Sequence, residues 1–190
     1  MIPTLPLALR NRLAATILEA VGDVQARRVL ATVAESPATW LAADEGRWGP
    51  LLAARARRAS EALVALPPSA SRGLDAVLEV AARLYGAGLY FEVHEWLEPH
   101  WMRATGTTRE TLQGLIQTAV GWQHLANDNV AGARSLLTEG AARLRGRRLG
   151  ARDLDAFGRA TATAARSLPS AAPPPFPDRE DDAIEREESV

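Results

Sequence analysis

An all-α fold is predicted by three features of the sequence. Alanine and leucine dominate, and the strand-like alternation of Val, Ile, Thr and aromatic residues is scarcely present. Apolar residues recur three and four positions apart along most of the chain. Gly, Pro and Asn-Asp-Asn interruptions divide that pattern into segments of helical length. The expected architecture is an antiparallel helical-hairpin bundle of about seven helices, followed by a disordered acidic C-terminal tail.

In chain order, Leu9, Leu13, Ile17 and Val21 form the first apolar stripe. Ala26, Leu30 and Val33 continue it in a second helix, for which Asp23 is a suitable N-cap. Ser36-Pro37 reads as a cap with proline at the first helical position, starting a short helix anchored by Trp40 and Leu41. After a turn at Gly46 to Pro50, Leu52, Ala56, Ala59 and Leu63 mark a helix that Pro67-Pro68 stops. Leu74, Val77, Leu78, Ala81 and Leu84 belong to the next one, which breaks near Gly86 and Gly88. A helix from about Leu89 to Arg103 follows. Thr107 and Glu110 fit a capping box opening a helix to about Asn127. Ala133, Leu137, Ala141 and Leu144 face inward on the helix after it, and Asp153 caps a last helix ending at Leu168-Pro169.

Composition narrows the function classes. The chain has 190 residues, 47% of them hydrophobic and 24% charged, which suffices for a packed core and points to one folded domain with an appendage. No run of about 18 apolar residues predicts a membrane span, and the start lacks the pattern of a secretory leader. A cytoplasmic protein is expected. The absence of cysteine excludes disulfides, thiolate metal sites and thiol nucleophiles. Residues 178–190 hold seven acids against Arg179 and Arg186, a tail charge of −5, so the whole-chain charge of −1 leaves +4 on residues 1–177. All 22 basic residues are arginine, consistent with drift in a high-GC genome, so arginine clusters weigh less than usual. The expected organisation is an N-terminal helical extension at 1–68, packed as one unit with a helical domain at 69–168. A disordered proline-rich linker and acidic tail complete it at 169–190.

One segment departs from plain amphipathic helix: Tyr90-Phe91-Glu92-Val93-His94-Glu95-Trp96-Leu97-Glu98-Pro99-His100-Trp101. At 100° per residue, Phe91, His94, Glu98, Trp101 and Met102 share about a third of the wheel. His94 and Glu98, four apart, have β-carbons about 5–6 Å from one another. Pro99 blocks the helical bond to the Glu95 carbonyl and is expected to kink the helix. On the following helix Gln113, Gln117, His124 and Asn127 fall on one face, so Gln117 or His124 is expected to face His94 and Glu98. Gly114 and Gly121 share another face that admits a close neighbour. Two histidines and a carboxylate suit zinc or another divalent metal with one position open.

The stretch from about Leu74 to Leu144 resembles domain-of-unknown-function family 309, small helical proteins of bacteria and archaea. The hallmark H-x-x-x-E-x-x-W/Y is His94, Glu98 and Trp101. Further matches are Gly88-Leu89-Tyr90-Phe91-Glu92, His94-Glu95, Gly114-Leu115-Ile116-Gln117, and Asn129 followed by Gly132-Ala133. The resemblance implies an all-helical fold and a motif suggested to bind metal. His124 is added from the helical wheel alone.

The site residues therefore read as follows. His94, Glu98 and His124 are candidate metal ligands, with zinc the leading metal. Glu95 is a candidate general base, by analogy with the glutamate after the first histidine of H-E-x-x-H. Phe91, Trp101 and Gln117 surround them. The competing reading is a buried hydrogen-bond network at His94 and Glu98 in a non-enzymatic interaction module. No glutamate is followed three residues later by histidine, which argues against a carboxylate-bridged di-iron bundle. His100 lies across the helix from His94 and reads as exposed. Trp40, Trp48 and Trp122 read as packing residues. Arg143, Arg145, Arg147 and Arg148 suit a helix C-terminus as well as a phosphate, so nucleic acid is not the favoured partner. The expected partner is a small molecule or protein, with self-association open.

Overall fold

The computed structural model describes residues 4–66 and 73–179. Among them the chain forms eight α-helices, two short 3-10 turns and one two-stranded hairpin, so the all-α expectation holds. The chain divides into two compact units, Met1–Glu92 and Val93–Val190. The division falls inside the helix Tyr90–Arg103.

In the first unit, α1 (Leu7–Ala20) and α2 (Val24–Glu35) bury Leu9, Leu13 and Ile17, and Ala26, Leu30 and Val33, the stripes read from spacing. Asp23 caps α2, its carboxylate accepting from the Gln25 amide at 2.6 Å. The short helix at Pro37–Trp40 is instead a 3-10 turn, and Ser36 makes no side-chain cap bond. After a second 3-10 turn at Gly46–Trp48, α3 (Gly49–Val64) buries Leu52, Ala56, Ala59 and Leu63. Helix α4 (Leu74–Gly86) buries Val77, Leu78, Val80, Ala81, Leu84 and Tyr85. α2 packs between α1 and α3, and α4 packs on α3. Each fully buried leucine here contributes about 1.5–3 kcal/mol, which outweighs the weak intrinsic stability of such short helices.

Helix α5 (Tyr90–Arg103) runs through Pro99 as one element and crosses the division between units. In the second unit α6 (Gly106–Ala126) and α7 (Val130–Leu144) form the most extensive helix pair. Glycine makes this close approach possible. A β-carbon on Gly114 would lie 2.9 Å from the Leu144 side chain, and one on Gly121 would lie 2.8 Å from Leu137. One on Gly140 would meet the Gly114 carbonyl at 2.8 Å. These contacts run in opposite directions along the two helices, which makes the pair antiparallel. Thr107 and Glu110 do not form the expected capping box: α6 starts at Gly106 without a side-chain cap, and Glu110 is paired with Arg143.

Two features were not read from the sequence. Between α7 and α8 (Asp155–Arg166), Arg148–Leu149 and Arg152–Asp153 pair as β1 and β2 around Gly150, whose φ of 55° favours glycine. Asp153 still serves the start of α8, accepting from the Asp155 amide at 2.8 Å. The second feature lies in the proline-rich stretch expected to be a linker. Residues 171–179 have no helix or strand, yet Phe176 packs on Phe157 with ring centres 5.6 Å apart, and Arg152 donates to the Pro177 carbonyl. Most of the acidic tail lies outside the described residues.

Candidate functional site

Helix α5 buries Val93 and Leu97, with Glu92 fully buried before them. That face is set by the 3–4 spacing of Val93, Leu97 and the preceding Leu89. His94, Glu95 and Glu98 flank it and are half-buried. The Phe91, His94, Glu98, Trp101 stripe borders the buried face, and Met102 is 65% exposed.

His94, Glu95 and Glu98 each offer one ligand atom within 4.8 Å of the others, and they are the one such cluster of three among the described residues. His94 Nδ1 lies 3.2 Å from Glu95 Oε1, a pair in which both side chains are about a third exposed. Local geometry accounts for the triangle. Glu98 is one turn beyond His94 and three residues beyond Glu95, so one turn of a single helix brings all three acceptors together. Pro99 contributes no N–H, so the Glu95 carbonyl has no helical donor below it.

The remaining sequence-derived residues go elsewhere. His124 is not part of this cluster. Its Nδ1 lies 2.7 Å from Asn129 Nδ2, while the Asn129 side-chain oxygen accepts from the Gly132 amide at 2.9 Å and the Asn129 amide donates to the His124 carbonyl at 2.9 Å. These bonds close the α6–α7 turn, and a β-carbon on Gly132 would lie 2.6 Å from His124 Nδ1. The adjacent Asp128 has a φ of 60°. His124, in the last turn of α6, is therefore tied to the α6–α7 connection, which a wheel of α6 alone does not register.

Gln117 faces α7 rather than His94. Its amide donates to Glu139 at 2.9 Å and accepts from Arg143 Nε at 3.0 Å. Arg143 also pairs with Glu110, and Ser135 donates to the other oxygen of Glu139 at 2.9 Å. The chain Glu110–Arg143–Gln117–Glu139–Ser135 ties α6 to α7 with each acceptor supplied. Arg143 is thereby committed within the protein, which removes it from the basic cluster considered for phosphate contact.

The two aromatic neighbours carry arginines on their faces. Phe91 lies under Arg10, 4.1 Å from guanidinium to ring centre, and Trp101 lies under Arg109 at 4.0 Å. Arg109 Nη1 also donates to the Trp101 carbonyl at 3.0 Å, completing the C-terminal end of α5. His100 is half-buried rather than exposed, with its ring centre 5.9 Å from that of Trp96. Desolvation, reinforced by the Arg103 charge, holds its pKa below the ordinary histidine value. Trp122 is buried, and Trp40 and Trp48 are half-buried, as packing in the core or at its rim requires.

Glu92 was not read as special, although it stands in the matched motif stretch. Its carboxylate is fully buried and both oxygens accept from Arg55 Nη2 of α3 at 3.0 Å. A glutamate on the apolar side of the α5 wheel was the available signal; its partner, 37 residues earlier, carried none.

Residues 78–136 match the family profile described as Domain of unknown function (DUF309), the family read from the sequence. The matched segment contains His94, Glu95 and Glu98. No curated protein and no solved structure matches the chain. No helix among the described residues is long and apolar enough to cross a membrane.

Proposed function

We propose that His94, Glu95 and Glu98 hold a divalent metal ion and that this segment is a metal-dependent, hydrolytic domain. The observation that carries the reading is the convergence of the three ligand atoms within 4.8 Å on one helical turn. One imidazole and two carboxylates form a mixed nitrogen and oxygen set, suited to zinc, manganese or ferrous iron rather than to a thiophilic metal. A divalent ion bound there supplies Lewis acidity toward a substrate oxygen. The chain's own contribution is to fix the donors: Val93 and Leu97 pin one side of α5 in the core, which leaves the adjoining donors half-open to solvent and reachable by a small molecule. Glu95 takes the role of ligand in place of the general base expected from sequence, because its carboxylate lies among the donors.

Partial exposure also favours this reading over a purely structural network. Burying an unpaired histidine or carboxylate costs several kcal/mol, which forces partners on a core residue, whereas half-exposed groups on α5 are under no such constraint. The buried charge that does need a partner is Glu92, and Arg55 provides it.

Elemental analysis of the purified protein after dialysis against zinc, manganese or ferrous iron tests the proposal, with circular dichroism to follow helicity. Near-stoichiometric metal is expected in the wild type, lost in His94→Ala and Glu98→Gln with helicity retained. His124→Ala is expected to keep the metal, since His124 closes the α6–α7 turn. A wild type without metal, or a His94→Ala protein that retains it, would overturn the assignment.

A further inference from the structure

The first unit contains an open surface recess of mixed polar and apolar lining, remote in sequence from His94. It has a volume of about 380 Å³, lies open to solvent, and is lined by Arg12 of α1, Gln25, Arg28, Val29 and Thr32 of α2, and Thr39 and Trp40 of the first 3-10 turn, all exposed except the half-buried Trp40. That volume lies within the usual range for small-ligand sites. Two of the lining residues are arginine and none is acidic. From this arrangement we infer a binding site for a phosphate monoester of a small hydroxylated molecule, of the sugar-phosphate class.

Arg12 is held in advance of any ligand. Its guanidinium stacks over the Trp40 ring at 4.0 Å, and Nη1 donates to the Trp40 carbonyl at 3.2 Å. A guanidinium fixed by a ring and a carbonyl loses little further side-chain entropy on binding. Most of its N–H donors are left over, and so are those of Arg28, whose bond within the protein is a long one to Gln25 Oε1 at 3.4 Å. Two planar, permanently charged donor forks on one recess with no acidic lining residue select an oxyanion, and a doubly charged phosphate matches two arginines.

The threonines set the rest of the ligand. Thr32 Oγ1 donates to the Arg28 carbonyl at 3.0 Å, and Thr39 Oγ1 donates to the Ser36 carbonyl at 2.9 Å. Each hydroxyl has spent its hydrogen and presents lone pairs. They suit hydroxyl donors on the ligand and repel a second anionic group. Val29 and the edge of Trp40 supply the apolar wall. An ion the size of inorganic phosphate fills only part of this space, so the hydroxylated body is needed for tight binding.

Isothermal titration calorimetry of the full chain with ribose 5-phosphate, ribose and inorganic phosphate tests the inference. Ribose 5-phosphate is expected to bind saturably at one site, more tightly than inorganic phosphate, while ribose alone gives no saturable heat. Arg12→Gln and Arg28→Gln should each weaken binding about tenfold, the effect of removing one charge-assisted contact. Added salt should weaken it further. Circular dichroism establishes that the variants fold. Should Arg12→Gln lose its fold with the Trp40 contact, Arg28→Gln carries the test, since Arg28 bonds within the protein to Gln25. Absence of saturable binding at millimolar ribose 5-phosphate, affinity unchanged in Arg28→Gln, or inorganic phosphate binding as tightly as the sugar phosphate would each overturn it. The outcome is independent of metal at His94.

Discussion

Arg55 Nη2 stands 3.0 Å from both carboxylate oxygens of Glu92, joining α3 to the first turn of α5 through a carboxylate with no solvent exposure. The pair is not fully served within the protein, because Arg55 Nε is also buried and has no partner among the described residues. A buried pair of this kind roughly balances its own desolvation cost while intact. Its importance appears when one partner is removed.

Arg55→Ala is accordingly expected to destabilise by about 3–5 kcal/mol, because it leaves the Glu92 carboxylate buried and unpaired. Replacing both residues by apolar ones of similar volume, Arg55→Met with Glu92→Met, should recover most of that loss. Urea unfolding followed by circular dichroism measures both. A single variant with near-wild-type stability would show that the pair does not hold these elements.

Gly121→Ala should cost about 1–3 kcal/mol by overpacking. The new methyl would sit 2.8 Å from the Leu137 side chain and 3.2 Å from the Leu137 backbone nitrogen, so relief requires α7 itself to shift. Gly86→Ala is the control: nothing lies within 4 Å of that β-carbon, and the change should be close to neutral or slightly stabilising. The thermal unfolding midpoints of the two variants compare the effects directly.

His100 makes stability depend on pH. Its folded pKa lies below the ordinary value of 6.5, through desolvation first and the Arg103 charge second. The unfolded chain therefore binds more protons than the folded one below about pH 6.5, and stability must fall as pH drops from that value through the lowered folded pKa. The loss is complete once both states are protonated. His100→Gln should remove this component, so the difference in unfolding free energy between wild type and variant should narrow between neutral and mildly acidic pH. Denaturation at matched ionic strength across that interval measures it; a difference that stays constant would place His100 in ordinary solvent.

What the sequence determined alone is what depends on neighbours within a helix or two. The stripes Leu9–Leu13–Ile17 and Leu52–Ala56–Ala59–Leu63 are buried as their spacing requires, because the period of 3.6 residues is a local property. The Asp23 cap and the close approach at Gly114 and Gly121 were legible for the same reason, and so was the His94–Glu98 turn with Glu95 between them. Only the tertiary structure decided the partners. A wheel gives the direction of a side chain but not which helix lies there, and so it could not pass Gln117 to Glu139 and Arg143, or His124 to Asn129. Nor could it show that Glu92, rather than Glu98, is the acidic group α5 buries. The pairing of Glu92 with Arg55, and the stacking of Arg12 on Trp40 in a recess that Arg28 also lines, join residues distant along the chain whose electrostatics exist only once the helices have packed.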